Sequence, residues 1–166
     1  LVSILNDQLV ETIGTYIEHK GSLRVNIEPL SAINSGAQWR IDGGLWHDSD
    51  ITVTGLSIGS YEVEFKDVPG WNKPPNQIAY IQNQQTSQIS GLYTLSKGSL
   101  SVVILPSGAV KAGGQWRVDG GPWRESGFTE QNLLVGNHTI EFKDIEHWNK
   151  PEGQIVVVEN KNTTYC

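Results

Sequence analysis

The residues in this chain that could do chemistry recur at a fixed offset, and that recurrence sorts them. The six tryptophans form three pairs 77 positions apart: Trp39/Trp116, Trp46/Trp123 and Trp71/Trp148. Acids recur in the same way, as Asp42/Asp119, Asp48/Glu125, Glu64/Glu141 and Asp67/Asp144. An active site duplicated along with its fold should keep its reactive groups at matched positions. The histidines do not: His19, His47, His138 and His147 stand opposite Ser96, Arg124, Tyr61 and Gly70. There is no His-x-x-x-His or Cys-x-x-Cys spacing to hold zinc and no Gly-x-Ser-x-Gly elbow to present a nucleophile. The Gly-Gly pairs follow an Asp instead of opening a helix onto a phosphate. The expectation is therefore a chain with no catalytic residue, no metal and no cofactor. Calcium would need several oxygens converging on one point. Asp42, Asp48 and Asp50 could meet at one hairpin end, but Asp50 becomes Gly127 in the second copy. These acids read better as turn formers and a solvated face.

Two of the tryptophans are different in kind. Trp71 and Trp148 each sit in a loop, followed by Asn72-Lys73-Pro74 and Asn149-Lys150-Pro151. An aromatic face beside an amide can stack a sugar ring and hydrogen-bond its hydroxyls. Trp71, Trp148, Asn72 and Asn149 are accordingly the candidates for a glycan or protein partner. The alternative is that the rings anchor their loops to a sheet edge. Trp39 and Trp116 lie inside alternating strands and are expected in the core. Asn137-His138-Thr139 and Asn162-Thr163-Thr164 are N-glycosylation triplets, which makes Asn137 and Asn162 candidate modification sites at a surface.

The elements that must position these residues follow from the duplication. Aligned without a gap, 21–89 and 98–166 share 31 identical pairs in 69, too many for chance. Leu23, Val25 and Ile27 alternate with polar residues, as do Tyr61, Val63 and Phe65, and both patterns return 77 positions later. Period two over five or six residues predicts a strand with one face buried. Seven short strands are expected per copy, near 22–28, 36–42, 44–47, 51–54, 60–67, 77–82 and 86–95. Asp42-Gly43 suits a two-residue type I′ turn, which would place Trp39 opposite Trp46 and Trp116 opposite Trp123. The expected fold is all-β: two tandem antiparallel Ig-like β-sandwich repeats at 21–97 and 98–166. Residues 1–20 match 78–97 through Ile4, Asn6, Gln8, Gly14, Tyr16 and Lys20, so they read as the closing strands of a preceding repeat, or as strands given to a neighbour. Ile4, Ile13 and Tyr16 are the candidates for setting that exchange. Cys166 aligns with Ile89, so the second copy lacks most of its final strand.

The run Gly-Ser-Leu, Gly-Ala-Gln-Trp-Arg-Ile-Asp-Gly-Gly-Leu-Trp, Tyr-Glu-Val-Glu-Phe and Gly-Trp resembles PEGA-like repeats. These are Ig-like or carboxypeptidase-regulatory-like β-sandwich modules of prokaryotic surface proteins. The likeness covers both copies. It implies a spacer, anchor or interaction module at the cell surface or outside it, and it brings no catalytic residues.

Charge and composition agree with that expectation. A formal charge of −6 opposes binding to a phosphate backbone, so nucleic acid is not an expected partner. No apolar run is long enough to span a bilayer. Leu1 begins in mid-pattern, as a processed product or a piece of a longer array would. The expected function is a non-catalytic extracellular structural or adhesive protein: a spacer, stalk, surface-layer or filament subunit. Its partners would be neighbouring copies or repeats, joined head to tail by strand complementation. Two other classes stay open: a carbohydrate-binding module, and an accessory segment of a larger secreted enzyme.

Overall fold

The computed structural model describes residues 13–166. The first repeat opens with β1 (Lys20–Glu28), a one-turn helix α1 (Leu30–Asn34) and β2 (Trp39–Ile41). It continues through β3 (Thr52–Ser57), β4 (Gly59–Phe65), β5 (Trp71–Asn72), β6 (Gln77–Ile81), β7 (Thr86–Leu92) and β8 (Thr94–Leu95). The second repeat comprises β9 (Lys97–Ser101), α2 (Ser107–Lys111), β10 (Gln115–Val118) and β11 (Arg124–Glu125). Its last strands are β12 (Thr129–Leu134), β13 (Gly136–Phe142), β14 (Gln154–Val158) and β15 (Thr163–Tyr165). The sheets run β3-β1-β7 and β2-β4-β6 in the first copy, β12-β9-β15 and β11-β10-β13-β14 in the second. The fold is all-β, as the alternation predicts.

Each repeat closes on its own core. Leu23, Val25 and Ile27 of β1 meet Trp39, Val63, Phe65, Ala79 and Ile81 from the other sheet. The second core gathers Leu100, Val102, Ile104, Trp116, Ile140, Val156 and Val158. Each large apolar side chain buried this way contributes about 1.5–3 kcal/mol. Trp39 and Trp116 are fully buried, and their one polar atom is satisfied. Trp39 Nε1 donates to the Asp48 carbonyl at 2.9 Å, and Trp116 Nε1 to the Glu125 carbonyl at 3.0 Å.

Three expectations need correction. The sandwich is not wholly antiparallel: β7 pairs parallel with β1, and β15 pairs parallel with β9. Short helices follow Pro29 and Pro106 where loop was expected. Residues 13–19, counted among the surplus strands, carry no strand; Ile13 and Tyr16 stand exposed before β1 begins. Ile4 lies outside the described residues.

The hairpin register also differs. Asp42 and Gly43 do take the positive φ angles of a type I′ turn (45° and 70°), closed by Gly44 N–H to the Ile41 carbonyl at 2.8 Å. Yet Trp39 exchanges both main-chain bonds with His47, not Trp46. Trp116 likewise pairs with Arg124, not Trp123. One extra residue after the turn bulges out of the ladder. Pro122 of the second copy is compatible with this, since it has no N–H and cannot take a paired place. The bulge turns Trp46 and Trp123 to the opposite face from Trp39 and Trp116.

Candidate functional site

On that outer face each repeat builds the same cluster. The Arg40 guanidinium lies 4.5 Å over the Trp46 ring, and Arg117 lies 4.6 Å over Trp123. Arg40 also pairs with Glu64 at 2.7 Å, and Arg117 Nε donates to Glu141 at 2.7 Å. Glu64 accepts the Gly43 N–H at 2.9 Å as well. Its hydrogen bond from Arg40 holds its carboxyl below the usual carboxylate range, against a smaller opposing effect of desolvation. The cation, the ring and the carboxylate engage one another in both repeats, although Arg40 Nε is buried without a hydrogen-bond partner.

Other recurrent polar residues are also engaged internally. Gln38 joins Asp48 at 2.9 Å and Lys66 at 2.7 Å; Gln115 joins Glu125 at 2.7 Å and Lys143 at 2.8 Å. Lys73 pairs with Asp67 and Lys150 with Asp144. Asp42 and Asp119 accept main-chain N–H groups from Glu62 and Thr139, which binds each turn to the neighbouring strand. Among the described residues, no three His, Cys, Asp or Glu side chains converge as metal ligands.

One pair looks like part of a catalytic triad. His138 Nδ1 is 2.6 Å from Asp119 Oδ2. A triad needs the far ring nitrogen aimed at a nucleophile. Here Nε2 faces the Leu134 carbonyl at 2.7 Å, a bond that Tyr61 makes in the first repeat with its hydroxyl to the Ser57 carbonyl at 3.0 Å. Both partners of the ring are acceptors, so only the imidazolium satisfies both. Burial works against that charge, but the two hydrogen bonds and the Asp119 carboxylate prevail and raise the His138 pKa. Burial likewise opposes the Asp119 carboxylate, but the Thr139 N–H and His138 prevail and lower its pKa. The pair holds a strand and a turn together.

The two tryptophans expected in loops differ: Trp71 lies instead in strand β5, and Trp148 in the segment between β13 and β14. Trp71 is half-buried in β5, paired with Leu95 of β8, and packs against the first core. Asn72 is occupied: its amide reaches the Leu95 carbonyl at 3.4 Å, and its oxygen accepts from Ser96 at 3.2 Å and from Asn160 at 2.7 Å. It ties the two repeats together. Trp148 is 40% exposed and Asn149 is exposed. Both line a cleft with Ile104, Pro106, Ala109, Phe142 and Ile145, and the edge of the Trp148 ring rests against Gly108 of α2. Sequence reasoning found Trp148 and Asn149 but not the apolar walls, which come from β13, α2 and the segment after β9. Asn137 and Asn162 are both exposed.

No protein-family model matches the sequence, and no curated protein matches it. Among solved structures, the chain is similar to one described as the Bacillus anthracis TIE protein, with 14% identity and a TM-score of 0.61. The likeness covers 89% of this chain and 33% of the other, so the chain spans about a third of that protein's length. At this identity it shows the fold alone.

Proposed function

We propose that the chain is a non-catalytic structural or adhesive repeat protein working outside the cell, as a spacer, stalk, surface-layer or filament subunit. One observation carries this reading. The polar residues duplicated between the repeats (Gln38/Gln115, Arg40/Arg117, Asp42/Asp119, Glu64/Glu141, Asp67/Asp144) are bonded within their own repeat in both copies. What the duplication preserves is a means of holding strands, which is what a modular spacer needs. The extracellular setting rests on the resemblance to PEGA-like modules and on the exposed Asn137 and Asn162.

A second reading is favoured by the Trp148 cleft: a carbohydrate-binding module with Trp148 as the stacking face and Asn149 beside it. Titrating a broad glycan panel against tryptophan fluorescence separates the two. The structural reading expects no saturable quenching. Quenching that saturates, and that Trp148→Ala abolishes, would transfer the function to the cleft.

A further inference from the structure

The passage from the first repeat to the second leaves no residue free to act as a hinge. Domains of one chain usually meet through an exposed linker that few contacts cross, and relative motion is then the default. Here each residue from Tyr93 to Ser99 is held. Tyr93 N–H donates to the Glu28 carbonyl at 2.7 Å. Its ring meets Phe65 edge-on with centroids 6.4 Å apart, and its hydroxyl donates to the Lys66 carbonyl at 2.6 Å. It is 1% exposed and belongs wholly to the first repeat. Thr94 and Leu95 form β8, paired with Asn72 and Trp71 of β5. Lys97 and Gly98 already lie in β9, opposite Leu134 and Leu133 of β12. Ser99 N–H donates to the Asn162 carbonyl at 2.9 Å.

Ser96 stands between the two groups and is shared by both repeats. Its N–H donates to the Gly70 carbonyl of the first repeat at 2.9 Å, and its carbonyl accepts the Val135 N–H of the second at 3.2 Å. Its hydroxyl donates to Asn72 Oδ1 at 3.2 Å, and the residue is 4% exposed. The same Asn72 oxygen accepts from Asn160 Nδ2 at 2.7 Å, straight across the seam. The grip on the incoming segment is not peculiar to this junction. Lys161 N–H donates to the Lys97 carbonyl at 2.8 Å, beside the bond from Val135 to Ser96. Earlier by 77 positions, Ile58 N–H donates to the His19 carbonyl at 3.3 Å and Gln84 N–H to the Lys20 carbonyl at 2.7 Å. Gln84 and Lys161 both hold left-handed φ angles, 58° and 55°, a conformation unfavourable for a residue with a Cβ yet present in both copies.

We propose that this junction is a rigid splice, with Ser96 as the residue common to both repeats and Asn72 as the pin across the seam, so that the two repeats move as one body. The inference rests on the reading of the chain as a modular spacer and specifies its kind: each repeat fixes the rotation of the next, and the modules do not turn independently. To reorient the repeats, some residue between β8 and β9 must change φ or ψ. Ser96 is the only residue there, and its two main-chain groups are bonded to opposite repeats. Any such turn breaks at least one of those bonds and leaves a buried polar group without a partner, which is costly. Asn72 adds the side-chain part of the hold, because a single oxygen engages both the spliced residue and the second repeat. Its duty is therefore to set the angle between the repeats, and its amide is committed to that contact.

Residual dipolar couplings of the backbone amides, measured on the weakly aligned, isotope-labelled full chain, test this. One alignment tensor should fit both repeats of the wild type. Asn72→Ala should need two tensors of unequal magnitude, while the couplings within each repeat still fit that repeat's own structure and so show that both remain folded. Insertion of Gly-Gly between Ser96 and Lys97 should likewise need two tensors. Amide exchange on the same samples gives a second readout. The Ser96 and Val135 amides should exchange about tenfold faster in Asn72→Ala, as expected for a weakened hydrogen-bonded seam, with amides of β4 and β13 unchanged. A wild type that needs two tensors, an insertion variant that keeps one, or an Asn72→Ala chain that keeps one tensor and wild-type exchange at Ser96 overturns the proposal. Independently turning repeats would still leave a non-catalytic spacer, of a flexible kind. Saturable glycan quenching would remove the spacer reading and leave the splice standing.

Discussion

Replacing Tyr93 should open a cavity in the core of the first repeat. An aromatic side chain buries about 150–250 Å². At about 25 cal/mol per Å² its removal forfeits roughly 4–6 kcal/mol of transfer free energy. Because the site lies at a sheet edge and water can refill it, Tyr93→Ala should fall within the range of about 3–5 kcal/mol found for buried aromatics. Tyr93→Phe keeps the ring and loses only the hydroxyl bond to Lys66, at a cost of about 1–2 kcal/mol. Native-state hydrogen exchange read by mass spectrometry resolves the repeats. Peptides from β1, β4 and β7 should lose protection while those from β9 and β13 serve as the internal control. Tyr93 adds a pH signature: desolvation first, and then the Asp67 charge, push its phenol up to about 12. A group whose folded pKa is raised stabilises fully below its unfolded value, near 10, and loses that contribution as pH rises through 12. Tyr93→Phe should therefore flatten the alkaline loss of stability in that window. A cost below about 1 kcal/mol for Tyr93→Ala, or loss spread equally over both repeats, would refute the assignment of Tyr93 as the plug of the first core.

His138→Tyr restores the residue that the first repeat uses at this position. Because the His138 pKa is raised in the folded state, its contribution is complete below about 6.5 and is lost as pH rises through the folded value. Thermal melts between pH 6 and 9 should show the second repeat losing stability in the wild type and little change in the variant. Gly91→Ala should destabilise the first repeat by about 1–3 kcal/mol, because its Cβ has no room beside Phe65. Urea unfolding should detect that loss.

Much of this architecture is legible in the sequence because it repeats. Strand alternation locates Leu23, Val25, Ile27, Val63 and Phe65, and Asp-Gly locates both hairpin turns. Burial of Trp39 follows from its place beside Ile41. The bulge that sends Trp46 outward is hidden in the first copy, where Leu45 is neutral, and hinted at only by Pro122 in the second. Parallel pairing of β7 with β1 leaves no local mark, since alternation is the same for either strand direction and partner choice is decided by the path through the opposite sheet. The helices α1 and α2 are single turns, too short to show a period. The cleft is assembled from segments some forty residues apart, and only Trp148 and Asn149 announce it.

The parallel pairing of first and closing strands has a consequence for load. When the first repeat is pulled by its two ends, tension enters at the start of β1 and leaves at the end of β7. Because these strands run side by side in the same direction, the pull slides one along the other and does not peel them apart. The register from Ser22↔Thr86 to Glu28↔Leu92 then shares the tension among seven pairs at once. An antiparallel hairpin pulled at its open end would yield one bond at a time. In the second repeat β15 runs parallel to β9 in the same way, from Thr163↔Ser99 to Tyr165↔Ser101.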